Sequence, residues 1–73
     1  MNVTWEEGFT ISTRVANGAI VLSANEAGLR SLANICLALA DESRAAHIHL
    51  DEFNALEDGS AELIIERVPE NRA

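Results

Sequence analysis

The sequence predicts a small α+β domain: a two-layer β-β-α-β-β arrangement with a four-stranded, mostly antiparallel sheet and one helix packed on one face. The first observation is a set of apolar residues at three- and four-residue spacing between Ser23 and Asp41, which is typical of an amphipathic helix. The second is Asn17-Gly18, a pair that favours a two-residue hairpin turn between alternating runs. The third is a pair of alternating runs after the helix. Because one helix covers only one face of a sheet, two layers follow.

The helix is predicted over Ser23 to Asp41. Ser23 and Glu26 fit a capping box, with Asn25 as a competing N-cap. The apolar stripe centres on Cys36, so we expect a buried thiol there. Gly28 indicates either a close backbone approach or a tolerated defect, since glycine in a helix costs roughly 1 kcal/mol relative to alanine. The stripe consists of Leu29, Leu32, Ala33, Cys36, Leu37, Leu39 and Ala40, and Ile35 widens it to roughly half the circumference. The polar strip consists of Arg30, Ser31, Asn34 and Asp41.

Four strands are predicted around this helix, in the sheet order 2-1-3-4. Alternating polarity and turn residues give their bounds as Phe9 to Val15, Ala19 to Leu22, His47 to Asp51 and Ala61 to Val68. The whole chain, 1–73, is expected to be one domain, with 1–8 an N-terminal arm or short edge strand and 69–73 a frayed tail.

The sheet face away from the helix is predicted to be polar and acidic. Such a face is a solvated surface, a dimer contact or a docking surface. Its predicted members are Thr10, Ser12, Arg14, Val21, His47, His49, Asp51, Glu62, Ile64 and Glu66.

The charge balance points to the class of partner. Twelve acidic residues stand against five arginines, there is no lysine, and the net charge is -7. Nucleic-acid binding depends mainly on basic groups that neutralise phosphates, so we expect no nucleic-acid partner. This charge is complementary to a basic protein partner. It is equally typical of an acidic soluble domain without such a partner.

The sequence also predicts the cellular compartment. A single cysteine excludes an intrachain disulfide. No apolar run approaches the roughly 20 residues of a membrane span, and no signal peptide is evident. We therefore expect a cytoplasmic protein with no membrane association.

Candidate chemistry is sparse. His47 and His49 lie two residues apart on one face of a strand, a spacing that can ligate a metal ion if Glu62 or Glu66 adds a ligand. Alternating polar residues on an exposed sheet face are the ordinary explanation of the same pattern. The cysteine is expected to be inert, and no glycine-rich phosphate loop is present. We therefore expect no enzyme, no catalytic residue, no metal and no cofactor.

Three segments of the chain resemble the immunity protein 32 family of bacterial polymorphic toxin systems. They are the run from Leu22 to Ala33, the strand His47-Ile48-His49-Leu50-Asp51, and the turn and strand from Gly59 to Ile65. The resemblance covers the chain from about Phe9 to Val68. It implies a small protein that neutralises a toxin encoded by a neighbouring gene, and it carries over no catalytic residues.

The residues and the resemblance lead to one hypothesis. The chain binds a cognate toxin, with a basic nuclease as a candidate, through its acidic sheet face. The main alternative is a homodimeric structural or regulatory domain, and the remote one is a metal-dependent enzyme. The predicted contact residues are His47, His49, Asp51, Glu52, Glu57, Asp58 and Glu62.

Overall fold

The computed structural model describes residues 1–70. Its elements, in chain order, are β1 (Ile11–Ala16), β2 (Ala19–Ala24), α1 (Glu26–Ala40), β3 (Ala46–Leu50) and β4 (Leu63–Arg67). The α+β class and the β-β-α-β-β order are therefore confirmed. The last three residues of the predicted tail, 71–73, lie outside the described residues. Within the described part, no helix is both long enough and apolar enough to cross a membrane.

The turn between β1 and β2 forms as the sequence predicts. Asn17 has a φ of 52° and Gly18 a φ of 79°, the left-handed values that a type I′ turn needs at both central positions. Ala16 and Ala19 pair directly across this turn. The register that starts there places Thr13 opposite Leu22.

The predicted single sheet is wrong. The structure has two separate two-stranded antiparallel sheets, β1–β2 and β3–β4, so the order 2-1-3-4 is also wrong. The segment leading into β4 meets β1 instead: Glu57 donates its N–H to the Ile11 carbonyl (2.8 Å), and Ala61 donates to the Thr13 carbonyl (3.2 Å). Among residues 1–70 this backbone pairing ends at Thr13, because β1 and β4 then diverge.

The helix begins at an asparagine that hydrogen-bonds to the first helical turn and to the segment just before β1. The Asn25 side-chain oxygen accepts from the Gly28 N–H (2.7 Å) and from the Thr10 N–H (3.0 Å). Its amide group donates to the Gly8 carbonyl (2.9 Å), and its own backbone N–H donates to the Thr10 carbonyl (3.2 Å). The predicted capping box at Ser23 is wrong, because Ser23 belongs to β2. The competing N-cap is the one that forms.

The buried face of α1 also differs from the prediction. Its buried residues are Gly28, Ser31, Ile35 and Leu39, so the face centres on Ile35. This centre is rotated by about 100° from Cys36, which is exposed. Leu29 and Leu37 are exposed by 56% and 64%. The helix therefore presents a second apolar surface to solvent, which we call the outer stripe: Leu29, Ala33, Cys36, Leu37 and Ala40.

Gly28 explains part of this rotation. A Cβ on Gly28 would overlap the backbone carbonyl oxygen of Thr10 and would lie 3.0 Å from the Cβ of Ala24. The missing side chain lets the helix approach the first hairpin closely. Of the two explanations that the sequence left open, the structure supports the close approach.

The N-terminal arm explains the other part. Residues 1–8 contain no strand and lie against the helix. The Glu6 N–H donates to the Ser31 hydroxyl (2.8 Å), and the Asn34 amide donates to the Thr4 carbonyl (2.7 Å). Ser31 is fully buried and not part of an exposed polar strip, because its hydroxyl has this partner.

The core lies between α1 and the two hairpins. It includes two residues from the 51–62 connection, Ala55 and Leu56, in a region that the sequence predicts only as a loop. Partly buried residues from the N-terminal segment, from α1 and from β2, β3 and β4 surround it. The buried members are Ile11, Ile35, Leu39, Leu50, Ala55 and Leu56.

Gly28→Ala is expected to destabilise the domain. Alanine gains about 1 kcal/mol of helix propensity over glycine, but overlap with a backbone carbonyl forces a shift that costs more, so we expect a net loss of about 1–2 kcal/mol. Urea unfolding followed by circular dichroism measures it. The control is Ala33→Gly on the exposed side of the helix, which should lose only the propensity term, about 1 kcal/mol. Stabilisation by Gly28→Ala would contradict the close contact.

Candidate functional site

The outward surface of the β3–β4 hairpin is built by period-two alternation. Ile48 pairs with Ile65 and Leu50 with Leu63, and all four side chains turn toward the core. The residues between them point the other way and are exposed. The predicted alternation of these two strands is therefore confirmed. We call the exposed set the outer face: His47, His49, Glu62, Ile64 and Glu66.

Two histidines and one carboxylate interact on the outer face. The imidazole rings of His47 and His49 meet edge to face with centroids 4.9 Å apart. His49 Nδ1 lies 3.0 Å from a carboxylate oxygen of Glu62, and both side chains are about half exposed. A pair this exposed contributes little to stability. Among residues 1–70, no group of three or more His, Cys, Asp or Glu side chains is arranged to hold a metal ion.

Two of the predicted contact residues organise the loop after β3. The Asp51 carboxylate accepts from the Phe53 N–H (2.9 Å), and the Asp51 carbonyl accepts from the N–H groups of Asn54, Ala55 and Leu56 at 2.9–3.2 Å. The Glu52 carboxylate accepts from the Gly59 N–H (2.8 Å) across the loop. The carboxylates of Asp51 and Glu52 therefore stabilise the loop through hydrogen bonds, a role that the charge of these residues does not predict.

Two other predicted contact residues lie on an exposed turn. Glu57 and Asp58 are exposed on the turn that closes with a Ser60 N–H to Glu57 carbonyl bond (3.2 Å). Within the described residues, no hydrogen bond or ion pair engages either carboxylate. The predicted set thus divides into three residues on the outer face, two that hold the loop and two on an exposed turn.

Glu66 is the residue that the predicted contact set omits. It pairs with His47 across the hairpin and is exposed on the outer face. Its position four residues after Glu62 on an alternating strand was a sufficient signal, because residues separated by an even number share a face.

A cleft of about 510 Å³ lies beside this surface, between the N-terminal arm and β3. Its walls are mostly apolar. His49 is the one titratable residue among those that line it, so the cleft offers little for polar recognition. The lining residues are Trp5, Phe9, Ile48, His49, Leu50, Asn54 and Ala55.

Comparison with known proteins gives one match. Residues 19–68 match the family model described as Immunity protein 32, which is about two thirds of the chain. The matched range holds all of β2, α1, β3 and β4 and the whole outer face. Searches of curated proteins and of solved structures gave no match.

Asp51→Ala is expected to lower stability by about 1 kcal/mol, the usual net worth of a lost hydrogen bond. In a domain of this size that corresponds to a fall in Tm of about 4–8 °C. Thermal unfolding by calorimetry measures it. The matched control is Asp58→Ala, which removes the same charge from a side chain without a partner in residues 1–70 and should stay within about 0.5 kcal/mol of the parent. Equal effects of the two substitutions would disprove the structural role of Asp51.

Proposed function

The chain belongs to the immunity protein 32 family, and we propose that it neutralises a cognate bacterial toxin by direct protein–protein contact. The family match is the observation that carries this proposal. We assign the chain the role of a binding protein with no catalytic step.

The acidic residues around β3 and β4 are the proposed contact surface. Glu62 and Glu66 are exposed on the outer face, Glu57 and Asp58 are exposed on the turn before β4, and the chain carries a net charge of -7 without any lysine. A basic toxin surface, such as the nucleic-acid site of a nuclease, is the complement of this charge. Exposed carboxylates come from Glu57, Asp58, Glu62 and Glu66, with Glu62 paired to His49, and the exposed imidazole of His47 lies beside them. Asp51 and Glu52 contribute by holding the loop in shape.

The first experiment identifies the partner. The tagged chain is expressed in its native host and captured, washed at low and then high salt, and the retained proteins are identified by mass. We expect a stoichiometric basic polypeptide encoded by the adjacent gene, eluting at high salt because screening weakens exposed charge pairs. If that gene product is absent from the eluate and does not bind when purified, the proposal is wrong.

The contact surface is tested by charge reversal. Glu62→Lys with Glu66→Lys places two like charges against a basic partner, so we expect toxin affinity to fall by about tenfold or more at low salt, mainly through slower association. The control pair, Glu26→Lys with Asp41→Lys, changes the net charge by the same amount at the two ends of α1. It should change affinity by less than about threefold. Surface-based kinetics on folded variants measures both, and similar losses in the two pairs would remove the outer face from the interface.

A homodimeric domain is the second candidate, and the exposed outer stripe of α1 is the observation that favours it. Contiguous exposed apolar residues on a helix are typical of a contact surface. This candidate predicts a dimer mass in analytical ultracentrifugation and a monomer after Leu37→Glu. Leu37 is 64% exposed, so the substitution leaves the core intact. A parent chain that sediments as a monomer would exclude this role.

A further inference from the structure

The two sheets of this domain are separated by an open groove between β1 and β4. β1 and the segment that leads into β4 begin side by side, joined by the Ala61 N–H to the Thr13 carbonyl (3.2 Å) and by the Thr13 N–H to the Ser60 hydroxyl (3.2 Å). They run in the same direction and then diverge. A groove of about 330 Å³ opens between β1 and β4 beyond this point.

The β1 edge of the groove presents unused backbone groups. In an antiparallel pair, successive residues direct their N–H and C=O groups alternately toward the partner strand and away from it. Thr13 uses its N–H and C=O on the side away from β2, so Val15, two residues on, directs its own to the same side. Within residues 1–70 no neighbouring strand pairs with Val15 on that side.

The β4 edge presents unused groups as well. The Asn54 side chain donates to the His49 carbonyl (3.1 Å) and accepts from the Asp51 N–H (2.9 Å), which indicates that the backbone groups of His49 point away from β4. Ile64 is directly opposite His49 in the register, so the same alternation predicts that its N–H and C=O point away from β3, on the side of the groove. The groove is therefore bordered by two open strand edges.

The side chains around the groove define what would fill it. Val15 and Ile20 on the first hairpin are exposed by 68% and 77%, and Leu63 and Ile64 line the opposite wall. Exposed apolar residues next to unpaired strand edges favour an added strand, which is a common mode of peptide recognition. The charged side chains at the groove are Glu62 and Arg14, and Glu66 follows on the same face of β4.

We infer that the groove receives a short extended segment of the toxin, which inserts between β1 and β4 as a fifth strand. This inference rests on the proposed function. The segment runs antiparallel to both neighbours and converts the two hairpins into one antiparallel sheet in the order β2, β1, toxin, β4, β3. Its inward residues are aliphatic and cover Val15, Ile20 and Leu63. Its outward residues include a basic one beside Glu62 and Glu66. A chain with a net charge of -7 repels a second copy of itself from this position, so the toxin is the occupant that the charge favours.

Residue-resolved hydrogen exchange tests the insertion without any substitution. The ¹⁵N-labelled chain is studied alone and in complex with the purified product of the adjacent gene. We expect the amide protons of Val15 and Ile64 to exchange fast in the free chain and at least about 100-fold more slowly in the complex, because they become strand hydrogen bonds. Fast exchange of both amides in the complex would overturn the inference. Slow exchange in the free chain that depends on its concentration would assign the groove to a second copy and overturn it too.

A proline substitution provides the second measurement. Val15→Pro removes the N–H at an open edge, where proline is tolerated, and Val15→Thr keeps both the N–H and the branched shape. We expect Val15→Pro to weaken toxin binding at least about tenfold and Val15→Thr to change it by less than about threefold. If the proline variant does not fold, the exchange measurement on the parent chain decides alone.

The outcomes separate the two proposals. Binding of the adjacent gene product with Val15 and Ile64 unprotected, or with full affinity in a folded Val15→Pro variant, rejects the inserted strand and leaves toxin neutralisation intact. Absence of binding by the parent chain rejects both.

Discussion

The contact between Asn25 and Thr10 is the constraint on which the rest of this domain depends. Asn25 bonds both backbone groups of Thr10, and the missing side chain of Gly28 lets the helix approach that same carbonyl. Together they fix the helix at its first turn against the first hairpin. With that turn fixed, the rotation of α1 is set, so that Ile35 enters the core and Leu37 does not. A stronger apolar stripe in the sequence does not override a backbone contact that leaves no room for another orientation.

Local patterns in the sequence predict the helix and the strands, but they do not predict how the strands pair. Alternation and helical spacing identified four strands and a helix, and Asn17-Gly18 identified the turn, because each depends on near neighbours along the chain. Strand pairing depends on contacts between distant segments. In the described part of the chain, the Thr13 N–H donates to the Ser60 hydroxyl and not to a backbone carbonyl, and the backbone pairing of β1 with the approach to β4 ends at Thr13. Sequence periodicity does not indicate hydrogen bonds between distant segments, so a single sheet is the simplest prediction from the sequence.

The candidate site shows the same division. Alternation placed His47, His49 and Glu62 on one exposed face correctly, because side-chain direction in a strand is a local property. Charge alone grouped Asp51 and Glu52 with them. Their carboxylates instead bind backbone N–H groups in the loop, and only the folded path of residues 51–60 shows which acids are engaged and which are free. The proposed role of the surface rests on the family to which the chain belongs, since the geometry by itself describes only an exposed acidic face.

The open edges of the two hairpins also affect how readily the protein aggregates. The open edge of β1, beside exposed Val15 and Ile20, favours edge-to-edge aggregation. Mutual repulsion among acidic copies keeps those edges apart, and this repulsion vanishes near the isoelectric point of about 4.5 and weakens as salt rises. Under the proposed function, the excess of acidic residues therefore has two effects: it favours binding to a basic partner, and it keeps the unbound molecules from aggregating.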